Sequence, residues 1–157
     1  MIEISLDDTA ITDALRRLGA TLTDMSPVMQ EIAEGLQKST QDRIMAGQSP
    51  DGTSFAPRSQ VTLARYEKKG WSFRGPLMLT GTMQSQIFAE ADSTLARIGS
   101  NALQAAVMQF GRPQGASRKS PPIPWGNIPA RPFLGLSVQD KTDVLAIAAK
   151  ALARATE

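Results

Sequence analysis

Ser26-Pro27-Val28-Met29-Gln30-Glu31-Ile32-Ala33-Glu34-Gly35-Leu36-Gln37-Lys38-Ser39-Thr40-Gln41-Asp42-Arg43-Ile44-Met45-Ala46-Gly47 is the strongest helical stretch of the chain. Val28, Met29, Ile32, Ala33, Leu36, Thr40, Arg43 and Ile44 recur at the 3.6-residue period and form one stripe for a core. Ser26 is placed to cap the helix, and Pro27 suits its first turn. Gly47 suits the left-handed turn that closes many helices. At ~1.5 Å per residue the helix spans on the order of 30 Å, the width of a small domain. Met29 and Met45, with Met25 just before, are expected to fill the core.

Outward from this helix, Leu6 to Leu18 predicts a shorter amphipathic helix ended by Gly19. Gln48 to Thr53 is a turn, followed by Phe55, Pro57 and one or two helical turns over Val61 to Lys68. Trp71 and Phe73 beside Lys69 and Arg74 read either as a loop anchored in the core or as a stacking platform for single-stranded nucleic acid. Thr80 is placed to cap a short helix after Leu77-Met78-Leu79. Ile87 to Ala91 and Leu95 to Gly99 alternate around Asp92-Ser93, which predicts a hairpin. Glu90 and Asp92 would share a face there, a solvated edge without a companion base or metal ligand. Ala102 to Phe110 predicts another helix, capped by Ser100 or Asn101 and closed by Gly111. In the last helix Ser137 and Asp140 have capping-box spacing, with Val144, Leu145, Ala148 and Leu152 as its apolar stripe. Lys150 and Arg154 near its end complement the helix dipole.

The pattern is α+β: several helices packed on a small antiparallel sheet, in a single domain over residues 1–157 with one long Pro/Gly-rich basic loop. That loop, Gly111 to Asn127, is expected to be mobile in an isolated subunit and ordered by a neighbour. Its centre, Gly115 to Ser120, offers no large apolar side chain to offset the ordering cost. Ile128 to Leu136 is expected to run extended, because residues before Pro129 and Pro132 are driven from helical geometry. Those prolines place the segment at a sheet edge or across onto a neighbouring subunit, with Phe133 and Leu134 on opposite faces, one toward the core and one toward a partner.

The 157 residues include no Cys and no His, which excludes a Ser–His–Asp triad, a Cys–His pair and a thiolate or imidazole zinc site. No cofactor is expected. The N-terminal residues do not read as a secretory signal, and no apolar run is long enough to cross a bilayer, so synthesis in the cytoplasm and no membrane partner are expected. The net charge of +2 hides a polarity: residues 1–51 carry nine acids and four bases, residues 52–139 three acids and ten bases. From Ser93 to Gln139 there is no acid, while Arg112, Arg118, Lys119 and Arg131 lie in the same stretch. Such polarity gives either two solvated faces or a head-to-tail contact between copies that closes into a ring.

Four segments in order resemble the phage virion morphogenesis family, which includes tail-completion and head–tail joining proteins of Mu-like and related tailed phages. They are Ser49-Pro50-Asp51-Gly52 with Phe55-Ala56-Pro57, Leu79-Thr80-Gly81-Thr82-Met83, Ala106-Val107-Met108-Gln109-Phe110-Gly111, and Ile128-Pro129-Ala130-Arg131-Pro132-Phe133-Leu134-Gly135. Phe55 stands where Trp is common in the family. The resemblance implies a structural protein of the virion, at its tail or neck, with no catalysis. It implies a homo-oligomeric ring, expected to be a hexamer, that caps the tail tube and meets tail tube and head connector or stopper proteins. A head-side adaptor with the portal's twelve-fold symmetry is the alternative. A basic nucleic-acid module, or non-specific contact with passing DNA, would use Arg112, Arg118, Lys119 and Arg131. Those four cations, with Phe133 and Leu134, are the expected contact residues.

Overall fold

A computed structural model of the chain describes residues 9–72, 74–113 and 127–156. The elements run α1 (Thr9–Thr23), α2 (Ser26–Ala46), α3 (Gln60–Lys68), α4 (Thr82–Ser85), β1 (Ile87–Ala91), β2 (Ala96–Ser100), α5 (Ala105–Phe110) and α6 (Val138–Thr156). The class is α+β, as expected. The hairpin packs on α2, which also meets α4 and α6, while α1 lies on α6.

The buried side of α2 is Val28, Ile32, Ala33, Leu36, Thr40 and Ile44, all from the stripe read in the sequence. Its two ends serve two clusters. Val28, Ile32 and Leu36 pack with Met25, Met29, Ala96, Ile98, Val144, Ile147 and Ala151. Ile44 instead joins Phe55, Leu77, Met78, Met83, Ile87, Ala102 and Phe133. Met45 is exposed, contrary to expectation. The start also differs by one residue: Met25 holds the cap position, Ser26 is already helical, and the Asp24 carboxylate accepts its backbone N–H at 2.9 Å. Gly47 closes α2 in the left-handed conformation.

Helix α1 continues through Gly19 to Thr23. A helical glycine lowers propensity by ~1 kcal/mol but breaks nothing unless the chain needs to turn there. In the hairpin, Phe88 pairs with Gly99 and its ring covers the bare glycine, 2.5 Å from where a Cβ would stand. Glu90 faces Arg97 across the strands, at 3.6 Å in solvent. Asp92 closes the turn, accepting the backbone N–H groups of Thr94 and Leu95. Helix α5 begins at Ala105 rather than Ala102, with Gln104 in the cap position.

The capping box of α6 is complete. Ser137 donates its N–H to Asp140 Oδ2 at 2.7 Å, and Asp140 donates its N–H to Ser137 Oγ at 3.0 Å. The same carboxylate accepts from Arg43 Nη1 at 2.6 Å and from the Ser39 hydroxyl, and it is only 3% exposed. Arg43 Nη2 donates to Thr40 Oγ1 and to the Gly135 carbonyl. This lock fixes the rotation of α6 about its axis. With Asp140 against α2, the residues at i+4, i+7 and i+11 face inward, and these are Val144, Ile147 and Ala151. The expected stripe is therefore corrected: Leu145 lies outside, 71% exposed, as do Val138 and Leu152.

Burial alone would raise the Asp140 pKa; the hydrogen bonds from Ser39 and Ser137 and the charge on Arg43 outweigh it, and the net shift is downward. A depressed carboxylate contributes stability that is full above its unfolded pKa of ~3.9 and is lost as pH falls through the folded value. Asp140→Ala is expected to lose ~3–5 kcal/mol at neutral pH, the penalty for orphaning a buried partner charge. Urea denaturation across pH should show the gap from the wild-type protein shrinking below about pH 4. A constant gap would mean the carboxylate is not held ionised by the lock.

Candidate functional site: the junction of the four segments

The four segments meet in one place. In the first, Ser49 is buried, and its hydroxyl bonds to Asp51 Oδ1 and the Thr53 carbonyl. Those bonds, first from the Ser49 hydroxyl and then from the Thr53 N–H, hold the Asp51 carboxyl down to about 2. Pro50 and Gly52 shape the turn, and Phe55 drops into the core. In the second, Gly81 heads α4, Met83 enters the same core, and Leu79 is half-buried. Thr80 is not the cap residue, since it precedes Gly81; its hydroxyl pairs with that of Thr82 at 2.7 Å.

The third and fourth segments are joined by Gln109. Its Oε1 accepts the N–H groups of Phe133 and Leu134, each at 3.0 Å, and its Nε2 donates to the Leu134 carbonyl at 3.0 Å. One side chain thus takes the place of a neighbouring strand. Arg131 donates its N–H to the Met108 carbonyl at 2.6 Å, and Arg112 and Ile128 exchange two backbone hydrogen bonds of 2.8 Å. Gly111 has φ 71°, and a Cβ there would meet Ala130 N and Ile128 O, both at 2.8 Å. Only glycine fits a backbone so turned and so closely approached.

This arrangement corrects the reading of Ile128 to Leu136 as a sheet edge. Among the described residues the sheet has two strands, and the segment reaches neither. It is extended, with Arg131 and Phe133 buried and Pro129 and Pro132 exposed, which leaves the prolines' missing donors in solvent. Phe133 is 0% exposed, and Leu134 packs on the same core, so the two do not divide between core and partner. Nor is Arg131 a surface cation. It is 5% exposed, with Nε donating to the Ala56 carbonyl at 2.7 Å and Nη2 to the Pro57 carbonyl at 2.8 Å. It ties the fourth segment to the first. Arg112 is half-buried at the bridge, while Phe110 is 80% exposed. Arg118, Lys119 and the centre of the loop expected to be mobile lie outside the described residues.

Exposed charge is unevenly divided: α2 shows Glu31, Glu34 and Asp42 with Lys38 among them, and the chain on and after α3 shows Arg65, Lys68, Lys69 and Arg74 with Glu67 among them. Trp71 is not a core anchor: it is 48% exposed, with its ring 5.7 Å from Tyr66 and 4.5 Å from Lys69 Nζ. Gln109 and Arg43 were not singled out as site residues from sequence. A polar side chain within an apolar helical stripe was the available signal for Arg43; Gln109 carries none. Among the described residues, no helix is long and apolar enough to cross a membrane.

Gln109→Leu removes three hydrogen bonds from the backbone of Phe133 and Leu134, and is expected to cost ~1–3 kcal/mol for each group kept from water. Gly111→Ala should also destabilise, by more than ~1 kcal/mol. Gly19→Ala, in open helical space, should stabilise by ~0.5–1 kcal/mol. Urea midpoints of the three variants check this ranking; a neutral Gln109→Leu would remove the junction's central claim.

The comparisons with known proteins fit this geometry. The chain is 31% identical over 146 residues to the Mu-like prophage FluMu G protein 2 of Haemophilus influenzae, covering 92% of this chain and 91% of the relative. It is 29% identical over 133 residues to tail completion protein S of Escherichia phage P2, covering 79% and 85%. No solved structure matches significantly. The phage virion morphogenesis family matches residues 6–153, a span that contains all four segments and every described element except the last three residues of α6. With nearly the whole chain matched by that family, the chain belongs to the phage virion morphogenesis family.

Proposed function

We propose that the protein completes a phage tail as a closed ring, of six subunits, seated at the head-proximal end of the tail tube. The ring stops tube growth and offers the surface on which head connector or stopper proteins dock. The observation that carries this reading is the split of exposed charge between α2 and the α3 region on one small subunit. A head-to-tail contact repeated by rotation uses one face of each sign per subunit and closes without leaving either exposed. The relative named tail completion protein S, and the virion role of the family, supply the setting. The junction of the four segments then acts as the rigid frame that holds the two faces at a fixed angle.

A second reading draws on Trp71. An exposed indole over Lys69 with Tyr66 beside it matches the aromatic-plus-cation surfaces on which bases stack, and a ring lumen would bring it to passing DNA.

Mass in solution and symmetry in the particle test the ring. A salt-sensitive hexamer, with six-fold density at the tail end, is expected; charge pairs at its contacts act over a Debye length of ~8 Å at physiological salt. Twelve-fold density on the portal would assign the protein to the head side instead. Trp71→Ala should leave melting nearly unchanged, since the ring is half in solvent. Stacking is worth ~1–3 kcal/mol per base, so a sharp loss of oligonucleotide binding in this variant would establish the DNA contact.

A further inference from the structure

Helix α6 carries a second apolar face, turned away from the core. Its inner side is Asp140, Val144, Ile147 and Ala151. At ~100° per residue, its far side carries Val138, Thr142, Leu145, Ala149 and Leu152. All five are exposed, Val138 at 82% and Leu145 at 71%, with exposed Ala146 beside them. A helix that is apolar on two sides belongs where both sides are covered, and α2 covers one.

The five residues are spaced by four and three in turn, the spacing by which two helices pack knobs into holes. Large and small side chains alternate strictly along them. Val138, Leu145 and Leu152 hold one heptad position; Thr142 and Ala149 hold the other. The Thr142 hydroxyl already donates to the Val138 carbonyl at 3.1 Å, so its donor is satisfied within the helix. Of the exposed charges on α6, Lys141 borders the stripe, while Asp143, Lys150 and Arg154 sit more than ~100° round the helix. Gln139 Nε2 donates to Asp143 Oδ1 at 2.8 Å and is engaged on its own helix. The neighbouring α1 shows Arg17 and an Asp13–Arg16 pair at 2.9 Å.

We propose that this face pairs with the same face of a second copy, the two α6 helices running antiparallel about a two-fold axis. The alternation of sizes selects that occupant. Reversing the partner's direction sets each large residue against a small one: Leu145 meets Ala149 of the second copy, and Leu152 meets its Thr142. A parallel pair would stack Leu145 on Leu145 and leave the Ala149 layer hollow. The contact is self-complementary and closes at two copies. At about 28 Å long and one helix wide, the face is smaller than the ~800 Å² per partner of a standard interface, so the pair is weak and reversible. It goes beyond the ring reading and does not rest on it, since the charged surfaces of α2 and the α3 region are separate from it.

The chain has no cysteine, so introduced thiols report the register without background. Full-length Leu145→Cys mixed with Ala149→Cys under a mild oxidant should give a disulfide-linked dimer, as should Thr142→Cys mixed with Leu152→Cys. Thr142→Cys alone and Leu152→Cys alone should not. Antiparallel pairing sets like positions ~15 Å apart along the axis, beyond the ~7 Å that a disulfide spans between Cα atoms. Leu145→Lys, at an exposed position, should weaken self-association in sedimentation at least ~tenfold with melting unchanged. Cross-linking of Thr142→Cys with itself would mean parallel helices and overturn the proposal. Failure of both mixed pairs to cross-link, or self-association indifferent to Leu145→Lys, overturns it too and leaves the face to another virion protein. A hexamer that persists in Leu145→Lys keeps the ring reading whichever way the pairing falls.

Discussion

The buried pair of Arg43 and Asp140 governs the placement of the largest pieces. It joins the middle of the chain's longest helix to the first turn of its last one. In doing so it supplies the capping carboxylate of α6, anchors Ser39, and takes hold of the Gly135 carbonyl at the end of the fourth segment. Buried ion pairs of this kind add little net stability over a well-packed apolar alternative, but an apolar alternative would not fix direction. Here direction matters, because a helix with apolar residues all round can dock on more than one face. Asp140 selects one.

The junction of the four segments shows the same economy with backbone groups. A stretch with prolines at 129 and 132 cannot be laid into a sheet without losing ladder donors. The fold instead satisfies it piecemeal, through Gln109, the Met108 carbonyl and the Arg112 bridge. Arg131 does the converse, feeding its donors to carbonyls on the loop after α2. The segments by which the chain resembles its family are consequently framework. The exposed charges of α2 and of the α3 region lie outside them.

Much of this was legible in advance where the controlling forces are local. The stripe of α2, the hairpin between Ile87 and Ser100 and the Ser137–Asp140 box depend on periodicity, turn chemistry and capping, all of which act within a few residues. What was misread depends on partners distant in sequence. Leu145 and Val144 are equally apolar, and nothing nearby says which faces inward; Arg43, about a hundred positions earlier, decides it. Arg131 read as a contact cation because it lies in the acid-free basic stretch, whereas its partners are main-chain carbonyls, which sequence does not display. Trp71 read as a loop anchor in the core, but its ring lies against Tyr66 and Lys69 and stays half in solvent.

The bridge between Arg112 and Ile128 has a further consequence for how such chains can diverge. Its two hydrogen bonds, with Gly111 seated against Ala130, pin both ends of the connection that follows Pro113 before that connection contributes anything. Closing a flexible connection costs only ~0.6 kcal/mol more for each doubling of its length. The intervening residues can thus be lengthened, shortened or exchanged wholesale while the frame keeps its shape. The clasp makes the fold a socket: the frame keeps its shape whatever sequence is inserted between its two ends.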